Sequence, residues 1–343
     1  MSCHNMSSFT VAIVISYLLF MQFACCDSLS LESMTTNNAA NNRAMQQRRL
    51  VKSAFELNNV DRITPATYSN RANLTLTPVI DGKASKVWSC DRPFLWNGID
   101  VSCRATLILK GDTLFVHSPV SLERDLQTKV DGIIEQEGVK RMIVLTTNYE
   151  HLKYVPEWYL KYGLRADVNG ELEVKFYGCP GIRDKVEEVK WDGEIGGDEE
   201  LWDYEVLEPL HVGCERVLGK PFFNEVVFYF KEEGLFVSTD LFWNYPKLQG
   251  VNPTLTSSGG DWGEWELAPP VKVPFSSRLW KFGMDKVYKP VYNKFMVSDQ
   301  EEFSRVKGKI LDEWDIQVVV PAHGDIVRGE EACAEALNKH FRS

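Results

Sequence analysis

Apolar and polar positions alternate with two different periods from residue 74 onward, which predicts a mixture of strands and helices. The apolar runs 105–110 and 113–117 meet at a polar turn and predict a β-hairpin. Residues 121–138 place their apolar side chains on one helical face, and 141–146 is typical of a short buried strand. Hairpin, helix and strand in this order indicate a sheet covered by helices.

A second hairpin, at 225–230 and 235–239, repeats the first one. The tripeptide Leu-Phe-Val occurs in both, at 114–116 and at 235–237. This repeat predicts two related halves, each made of a sheet and its helices, although apolar hairpins also resemble one another by chance.

The first 26 residues differ from the rest of the chain. The run 10–24 is apolar and uncharged, and it is shorter than the ~20 residues that a membrane span needs. Small residues at Ala24 and Cys26 suit a cleavage site, so 1–26 is predicted to be a secretory signal, with no stable membrane span after cleavage. The lack of Lys and Arg before the run leaves an uncleaved anchor as the alternative. N-terminal sequencing of the native protein tests whether it begins near Asp27.

Residues 27–73 are polar and lack apolar periodicity, which predicts a flexible linker. Arg43, Arg48 and Arg49 in a stretch with few acidic residues also suit a transit segment behind the signal, as in a two-part presequence for a plastid. The expected location is therefore the secretory pathway, outside the cell or in an organelle lumen, with the plastid as the alternative. Asn73 begins a glycosylation sequon, which has meaning if the chain enters the endoplasmic reticulum.

Composition and net charge disfavour several classes of protein. The 343 residues have a net charge of −10 and 44% apolar residues, so the remainder, 74–343, is expected to be one globular domain. The acidic balance disfavours nucleic-acid binding, which needs a basic surface. No Cys-x-x-Cys pair follows the presequence, which disfavours zinc-finger and thioredoxin sites. Cys90 and Cys103 flank a short loop and can pair, but spacing leaves the disulfide pattern open.

Two motifs near the C-terminal half carry candidate metal ligands. A predicted helix, 299–314, and a buried strand, 316–320, lead into Pro321-Ala322-His323-Gly324, and the run 235–242 contains Asp240. These segments resemble the last metal-ligand motif and the bridging-aspartate strand of the metallo-β-lactamase fold. After the strand 141–146 that family usually has His-x-His-x-Asp-His, whereas this chain has Asn148 and a single histidine, His151.

The departure from the histidine cluster marks a divergent branch. The stretches Asp91-Arg92-Pro93, 114–121, 156–158 and 224–228 together resemble an uncharacterised domain family within the metallo-β-lactamase-like proteins, over roughly 88–337. The resemblance implies an α+β four-layer αββα sandwich. It also implies a site at strand ends, with the candidate metal ligands His151, His211, Asp240 and His323 and the neighbouring residues His117 and Asn148.

Several of these residues have alternative interpretations. His211 is also consistent with an ordinary strand-end histidine, and Asp240 with a cap on the following segment. His117 can hydrogen-bond across the site without touching a metal. Asn148 and Tyr149 stand where the family has imidazoles, and both can donate hydrogen bonds to an oxyanion.

The metal chemistry follows from the ligand types. Imidazole and carboxylate suit zinc or iron, and a cation with an open position lowers the pKa of its water to ~7. Because most of the histidine cluster is missing, a single divalent ion is expected rather than two. The predicted function is a mononuclear metal-dependent hydrolase of an ester, thioester or amide, with His151 and Asp240 catalytic. The alternative is a catalytically silent protein that binds a small-molecule ligand; the oligomeric state is left open.

The segment 242–270 is aromatic and rich in Gly and Pro, without helical periodicity. It either hangs over the site as a lid with Trp243, Trp262 and Trp265, or packs as a surface insertion. As a lid it would favour an apolar ligand.

Overall fold

Two β-sheets stack face to face, and helices cover their outer surfaces. The computed structural model describes residues 76–81, 85–92, 94–96, 99–164, 172–196, 200–217, 219–245, 249–250, 255–257, 265–267, 271–272 and 275–342. The predicted signal 1–26 and linker 27–73, with the sequon at Asn73, lie outside these residues. Within them, no helix combines the length and the apolar character that crossing a membrane requires.

The strands and helices have the following bounds. The strands are β1 Thr77–Asp81, β2 Ser85–Arg92, β3 Leu95–Trp96, β4 Ile99–Asp100, β5 Cys103–Lys110, β6 Thr113–His117, β7 Arg141–Thr146, β8 Glu173–Gly178, β9 Gly193–Glu194, β10 Leu207–Val212, β11 Arg216–Val217, β12 Lys220–Pro221, β13 Glu225–Phe230, β14 Leu235–Ser238, β15 Gln249–Gly250, β16 Leu255–Ser257, β17 Trp265–Leu267, β18 Val271–Lys272, β19 Val318–Pro321 and β20 Val327–Arg328. The helices are α1 Arg124–Gln136, α2 Val155–Trp158, α3 Phe275–Gly283, α4 Lys289–Val291, α5 Gln300–Gly308 and α6 Glu330–Phe341. Wider π-helical turns follow α2, α3, α4 and α5, at Tyr159–Gly163, Met284–Tyr288, Tyr292–Met296 and Lys309–Glu313. Short 3-10 turns occur at Ile182–Asp184 and Lys231–Glu233.

The two main sheets share one local topology. The first sheet has the order β1-β2-β5-β6-β7-β8-β9, and the second has the order β10-β13-β14-β19-β20. In the first, the hairpin β5-β6 is extended by the parallel strand β7; in the second, the hairpin β13-β14 is extended by the parallel strand β19. Each parallel pair is joined by a crossover that contains helix. The repeated hairpin of the sequence therefore occupies equivalent positions in the two sheets.

Three apolar cores separate the layers. Between the sheets, Phe115 and Ile143 of the first sheet pack with Phe228 and Val237 of the second. On the outer face of the first sheet lie α1 and α2. On the outer face of the second sheet lie α5 and α6. Strand residues alternate between the inner and outer cores because successive side chains point to opposite faces. This arrangement confirms the predicted αββα sandwich.

The predicted elements agree closely with the observed ones. Both hairpins and the strand β7 occur where the apolar runs placed them. Helix α1 begins at Arg124 rather than at residue 121, and Gly138, at φ 63°, lies just beyond its end. The predicted helix 299–314 is α5 and its π-helical turn, and the Asp299 side chain caps it by accepting the N–H of Glu302 at 2.9 Å.

A buried carboxyl lies below the outer helices of the second sheet. Glu215 has 1% of its surface exposed, and its carboxyl accepts hydrogen bonds from the N–H of Phe223, at 3.1 Å, and from the hydroxyl of Tyr292. Burial raises the pKa of Glu215 to about 8, although the bond from Tyr292 opposes the shift. The folded protein therefore holds a proton here near neutral pH.

We expect the Glu215→Gln variant to become more stable relative to the unsubstituted chain as pH rises. The pKa of Glu215 in the folded chain is above its ordinary value of 4.5. The protonated carboxyl therefore stabilises the folded unsubstituted chain fully below pH 4.5, and this stabilisation is lost as pH rises through about 8. One such group changes the free energy of unfolding by up to ~1.4 kcal/mol per pH unit in that window. Urea-unfolding midpoints of the unsubstituted chain and of Glu215→Gln, taken at several pH values between 4.5 and 8, measure this difference in stability. Parallel pH profiles would contradict the prediction.

Candidate metal centre

Three strands end at one edge of the sandwich, and their following turns carry the candidate ligands. His151 lies in the turn after β7, Asp240 lies two residues after the end of β14, and His323 lies two residues after the end of β19. Parallel neighbours end at the same edge of a sheet, which brings Asp240 and His323 together. Stacking of the two sheets then places His151 opposite them.

Ligand atoms of three residues converge at this edge. His151 Nε2 lies 3.1 Å from His323 Nε2 and 3.4 Å from Asp240 Oδ2, and His323 Nε2 lies 3.2 Å from Asp240 Oδ1. Each residue offers one ligand atom, and these atoms lie within 4.8 Å of one another. Among the described residues, this is the cluster of His, Cys, Asp and Glu that can hold a metal ion.

The imidazole of His323 is oriented by backbone carbonyls. Its Nδ1 lies 2.7 Å from the oxygen of Ser102 and 3.2 Å from the oxygen of Val101. Carbonyl oxygens only accept, so Nδ1 carries the proton and donates it. In the neutral ring, Nε2 therefore presents its lone pair toward His151 and Asp240, as a metal ligand requires.

The imidazole of His151 is oriented by a side chain. Its Nδ1 lies 2.7 Å from Ser118 Oγ and 3.6 Å from Cys103 Sγ. Ser118 has φ 51°, and Ser102, which holds the other imidazole, has φ 56°. Both values lie in the left-handed region, where residues other than glycine are strained. The two residues that orient the imidazoles thus hold unfavourable backbone conformations.

We expect Ser118→Ala to weaken binding of a divalent metal by ~10–100-fold, the usual effect of removing a group that orients a ligand. Ser118→Gly removes the same hydroxyl and also relieves the left-handed strain. The glycine variant should therefore bind metal as weakly as the alanine variant while being more stable by about 1 kcal/mol. Metal titration and urea unfolding of both variants measure these effects.

Ser102→Gly is the matched control for Ser118. It relieves comparable strain, but the group that holds His323 is the Ser102 carbonyl, which every residue type retains. Its metal affinity should stay within a few-fold of the original. If Ser118→Ala bound metal as tightly as Ser102→Gly, the hydroxyl would have no orienting role.

The carboxylate of Asp240 is held by Asn148 and Glu225. Asn148 Nδ2 donates to Asp240 Oδ2 and to Thr239 Oγ1, and its Oδ1 accepts the N–H of His151 at 2.8 Å. The Glu225 carboxyl accepts the backbone N–H groups of Thr239, Asp240 and Leu241 at 2.6, 2.8 and 2.7 Å. One amide therefore links two ligands, and one buried carboxyl fixes the turn between β14 and the site.

The protonation states of the cluster follow from burial and charge. Burial raises the pKa of Asp240, but His151 and His323 outweigh it and bring that pKa below its ordinary value. Burial lowers the pKa of His151 to about 4, although Asp240 opposes the shift. Burial also lowers the pKa of His323, but the hydrogen bond to Asp240 reverses the direction and leaves it raised. Near neutral pH Asp240 is therefore a carboxylate and His151 a neutral imidazole, while His323 holds a proton more tightly than a free imidazole does.

The donor set fits a divalent cation. Zinc bonds of ~2.0–2.1 Å in a tetrahedral shell separate neighbouring ligand atoms by about 3.3 Å. The two imidazole nitrogens are 3.1 Å apart, close to that value, and each lies 3.2 or 3.4 Å from a different oxygen of Asp240, so one ligand atom from each residue lies within 4.8 Å of the other two. Two imidazole nitrogens with one carboxylate oxygen are a ligand set for zinc or iron. Cys103 is not suited to join them as a thiolate, because burial and Asp240 raise its pKa to about 12.

The structure does not bring the other predicted ligand, His211, into the cluster. Its Nε2 lies 2.9 Å from Asn224 Oδ1, and Asn224 donates in turn to the carbonyl of Pro180. His117 is buried against Phe228, with ring centroids 5.6 Å apart. Its two ring nitrogens have no hydrogen-bond partner in the part of the chain that is described, so the expected bond across the site is not formed. Burial, and then His151, lower the pKa of His117 to about 3.

Three further expectations need correction. Both protons of Asn148 Nδ2 are already donated, and Tyr149 donates its hydroxyl to Pro180 at 2.7 Å, so neither residue is free to stabilise an oxyanion. Trp243 is no lid residue: it is 6% exposed and packs on His340, while Trp262 lies outside the described residues. All five cysteines of the described residues are free, so Cys90 and Cys103 form no disulfide.

Sequence reasoning missed the residues that orient the cluster. Ser102 and Ser118 act through a backbone carbonyl and a hydroxyl, and such contacts leave no pattern in a single sequence. Glu225 did leave a signal, because a carboxylate at the start of a fully apolar strand is costly unless it is hydrogen-bonded. That signal predicts a buried role without naming its partners.

Comparison with solved structures returns metallo-β-lactamases. The metallo-β-lactamase DIM-1 is 12% identical, covering 78% of this chain and 97% of its own, with a TM-score of 0.45. A metallo-β-lactamase from Pontibacter korlensis is 11% identical, covering 78% and 100%, with a TM-score of 0.43. A variant flavo di-iron protein from Thermotoga maritima is 13% identical, covering 78% and 61%, with a TM-score of 0.46. No protein-family model matches the sequence, and no curated protein matches it.

The class of fold is defined by the molecule's own architecture. Four layers, a hairpin and parallel strand repeated in both sheets, and a His-Asp-His cluster on the turns after β7, β14 and β19 make this a divergent metallo-β-lactamase-like fold. The resemblance stated from the sequence motifs is thereby confirmed at the level of fold.

Proposed function

We propose that this protein is a mononuclear metal-dependent hydrolase of an ester, thioester or amide. The observation that carries the proposal is the convergence of His151, Asp240 and His323 at separations that suit one cation. The orientation of His323 by the Ser102 carbonyl supports it further, because it directs the Nε2 lone pair into the cluster. A ligand set that serves only packing does not need this orientation.

The roles of the chain's own residues follow from their contacts. When bound, a divalent cation supplies a Lewis acid that brings the pKa of water toward neutrality. His151, Asp240 and His323 would hold it. Asp240 is ionised near neutral pH and Asn148 donates to its Oδ2, so Oδ1, 3.2 Å from His323 Nε2, is the oxygen that would face the cation and its water. Glu225 holds the Asp240 backbone in place for this role.

The proposed reaction is slow on generic substrates. Asn148 and Tyr149 donate elsewhere, so neither offers a donor to developing negative charge. Lack of one such donor commonly costs ~10²–10³ in rate. We therefore expect weak hydrolysis of simple esters, thioesters and β-lactams, and stronger turnover where the substrate supplies its own charge stabilisation.

Elemental analysis and a hydrolysis screen test the proposal together. Gently purified protein should contain about one divalent ion per chain, and metal-loaded protein should cleave at least one substrate class. Asp240→Ala should remove both properties. Asp112→Ala, an exposed carboxylate in the β5-β6 turn, is the matched control and should remove neither. A chain that takes up no zinc, iron or manganese would end the enzyme proposal.

The same screen addresses the silent-site alternative. The unavailability of Asn148 and Tyr149 as donors favours a protein that kept the scaffold and lost the reaction. In that case apolar ligands would raise the melting temperature equally in the original chain and in Asp240→Ala, without hydrolysis. Rapid turnover that vanishes in Asp240→Ala would exclude this alternative.

A further inference from the structure

An exposed apolar stripe lies on helix α3. Phe275, Leu279 and Phe282 are 73%, 57% and 60% exposed, and their spacing of four and three residues places them on one helical face. Together with Phe295, 64% exposed, they are the large apolar side chains that the described residues expose. Soluble proteins rarely group such side chains on their surface, so the group marks an interaction surface.

The stripe is surrounded by positive charge on an otherwise acidic protein. Residues 275–296 contain five Lys and Arg and one Asp, whereas the whole chain has 38 basic and 48 acidic residues. The single acid, Asp285, is already paired with Lys281 at 2.7 Å. Lys286 and Lys294 are exposed, Arg278 lies over the ring of Phe275 at 5.8 Å, and Lys294 lies over the ring of Phe295 at 5.4 Å. The surface thus combines exposed apolar rings with unneutralised cations.

The positive charge around the stripe favours an anionic lipid bilayer over a second copy of this chain as the partner. A second copy docked symmetrically would place the same cations against each other. The described residues expose one other large apolar side chain, Phe295, so a different face of a second copy has little to match the stripe. A bilayer with anionic lipids matches both features, since acyl chains accept the apolar rings and phosphates accept the cations.

We propose that α3 docks this protein on an anionic phospholipid bilayer, with Phe275, Leu279 and Phe282 inserted below the headgroups. The proposal does not depend on the metal chemistry. The helix that docks is close to the candidate centre, because the Tyr245 ring lies 6.4 Å from the ring of Trp280 on α3 and 6.3 Å from that of His323.

Vesicle binding of the full-length chain tests the docking. It should bind phosphatidylcholine vesicles that contain phosphatidylglycerol, and bind them more weakly without it. The triple variant Phe275→Ser, Leu279→Ser, Phe282→Ser should bind ~100-fold more weakly, and Lys286→Glu with Lys294→Glu at least ~10-fold more weakly. Arg124→Glu with Lys129→Glu, exposed cations on α1, is the control and should bind as the original chain. All substituted residues are exposed, so melting temperatures should be unchanged.

Hydrogen exchange locates the contact independently of the apolar N-terminal run. Amides of 275–283 should exchange more slowly when anionic vesicles are added, and this protection should be lost in the triple variant. Absence of vesicle-dependent protection in 275–283 would overturn the proposal. Equal vesicle binding by the triple variant, or a dimer that the triple variant disrupts in the absence of lipid, would overturn it too.

Discussion

His323→Asn should weaken binding of a divalent metal by more than ~100-fold, beyond the 10–100-fold typical of residues that only orient a ligand. The asparagine amide can occupy the place of the imidazole Nδ1 and still donate to the Ser102 carbonyl, but it lacks the nitrogen that faces His151 and Asp240. The substitution thus removes one ligand of three while leaving the buried carbonyl paired. Competition with a chelating dye on metal-loaded protein measures the affinity.

His211→Asn is the matched comparison for that experiment. His211 was a candidate ligand from the sequence, but its Nε2 faces Asn224 in the structure. Its metal affinity should remain within a few-fold of the original value. Comparable loss in both variants would mean that the cluster around Asp240 is not the binding site.

Arg104→Met should destabilise the protein by about 3–5 kcal/mol, because it leaves a buried carboxylate without its partner. Arg104 is 3% and Asp91 is 8% exposed, and the guanidinium donates to both carboxylate oxygens, at 2.5 and 3.1 Å. The remaining nitrogen, Nη1, donates to the carbonyl of Pro321 at 2.6 Å, which joins the first sheet to the strand that precedes His323. Urea unfolding measures the loss.

A second substitution separates the buried charge from the lost packing. Arg104→Met combined with Asp91→Leu should recover more than half of the lost stability, since a buried ion pair is often replaced by apolar residues at little net cost. Arg141→Met is the control, because Arg141 pairs with Glu173 on the surface, with 48% and 47% of the side chains exposed. It should cost less than ~1 kcal/mol. Similar costs for Arg104→Met and Arg141→Met would contradict the argument from burial.

The individual strands and helices could be predicted because they depend on residues that are close together along the chain. The hairpins, α1, β7 and α5 follow from apolar periodicity and polar turns. Helix ends were less exact, since α1 begins after residue 121 where no side chain caps it. The short strands β15 to β18 were not predicted, because the Gly- and Pro-rich segment that contains them has neither period.

The candidate ligands divide in the same way into residues that the structure brings together and one that it does not. Asp240 and His323 were predicted because each follows an apolar strand within a short motif, and a strand end is a position that sequence order defines. His211 also lies near the end of a strand, and β10 runs in the same direction as β14 because both pair antiparallel with β13, so the two strands end at the same edge. Its imidazole nevertheless hydrogen-bonds to Asn224 rather than joining the cluster. A strand end in the sequence does not say which neighbours its side chain meets.

The sequence by itself determined the main strands and helices, because apolar periodicity depends on neighbours along the chain. The resemblance of its short motifs implied the four-layer fold class and the candidate ligands His151, His211, Asp240 and His323, of which the structure brings His151, Asp240 and His323 together. The tertiary structure alone decided that Asn148 holds Asp240 instead of facing a substrate, and that Ser102 and Ser118 orient the two imidazoles. These contacts join residues far apart in sequence, and each depends on backbone directions that are set when the sheets pack. Hydrogen bonds require distances within a few tenths of an ångström, and only the packed chain defines them.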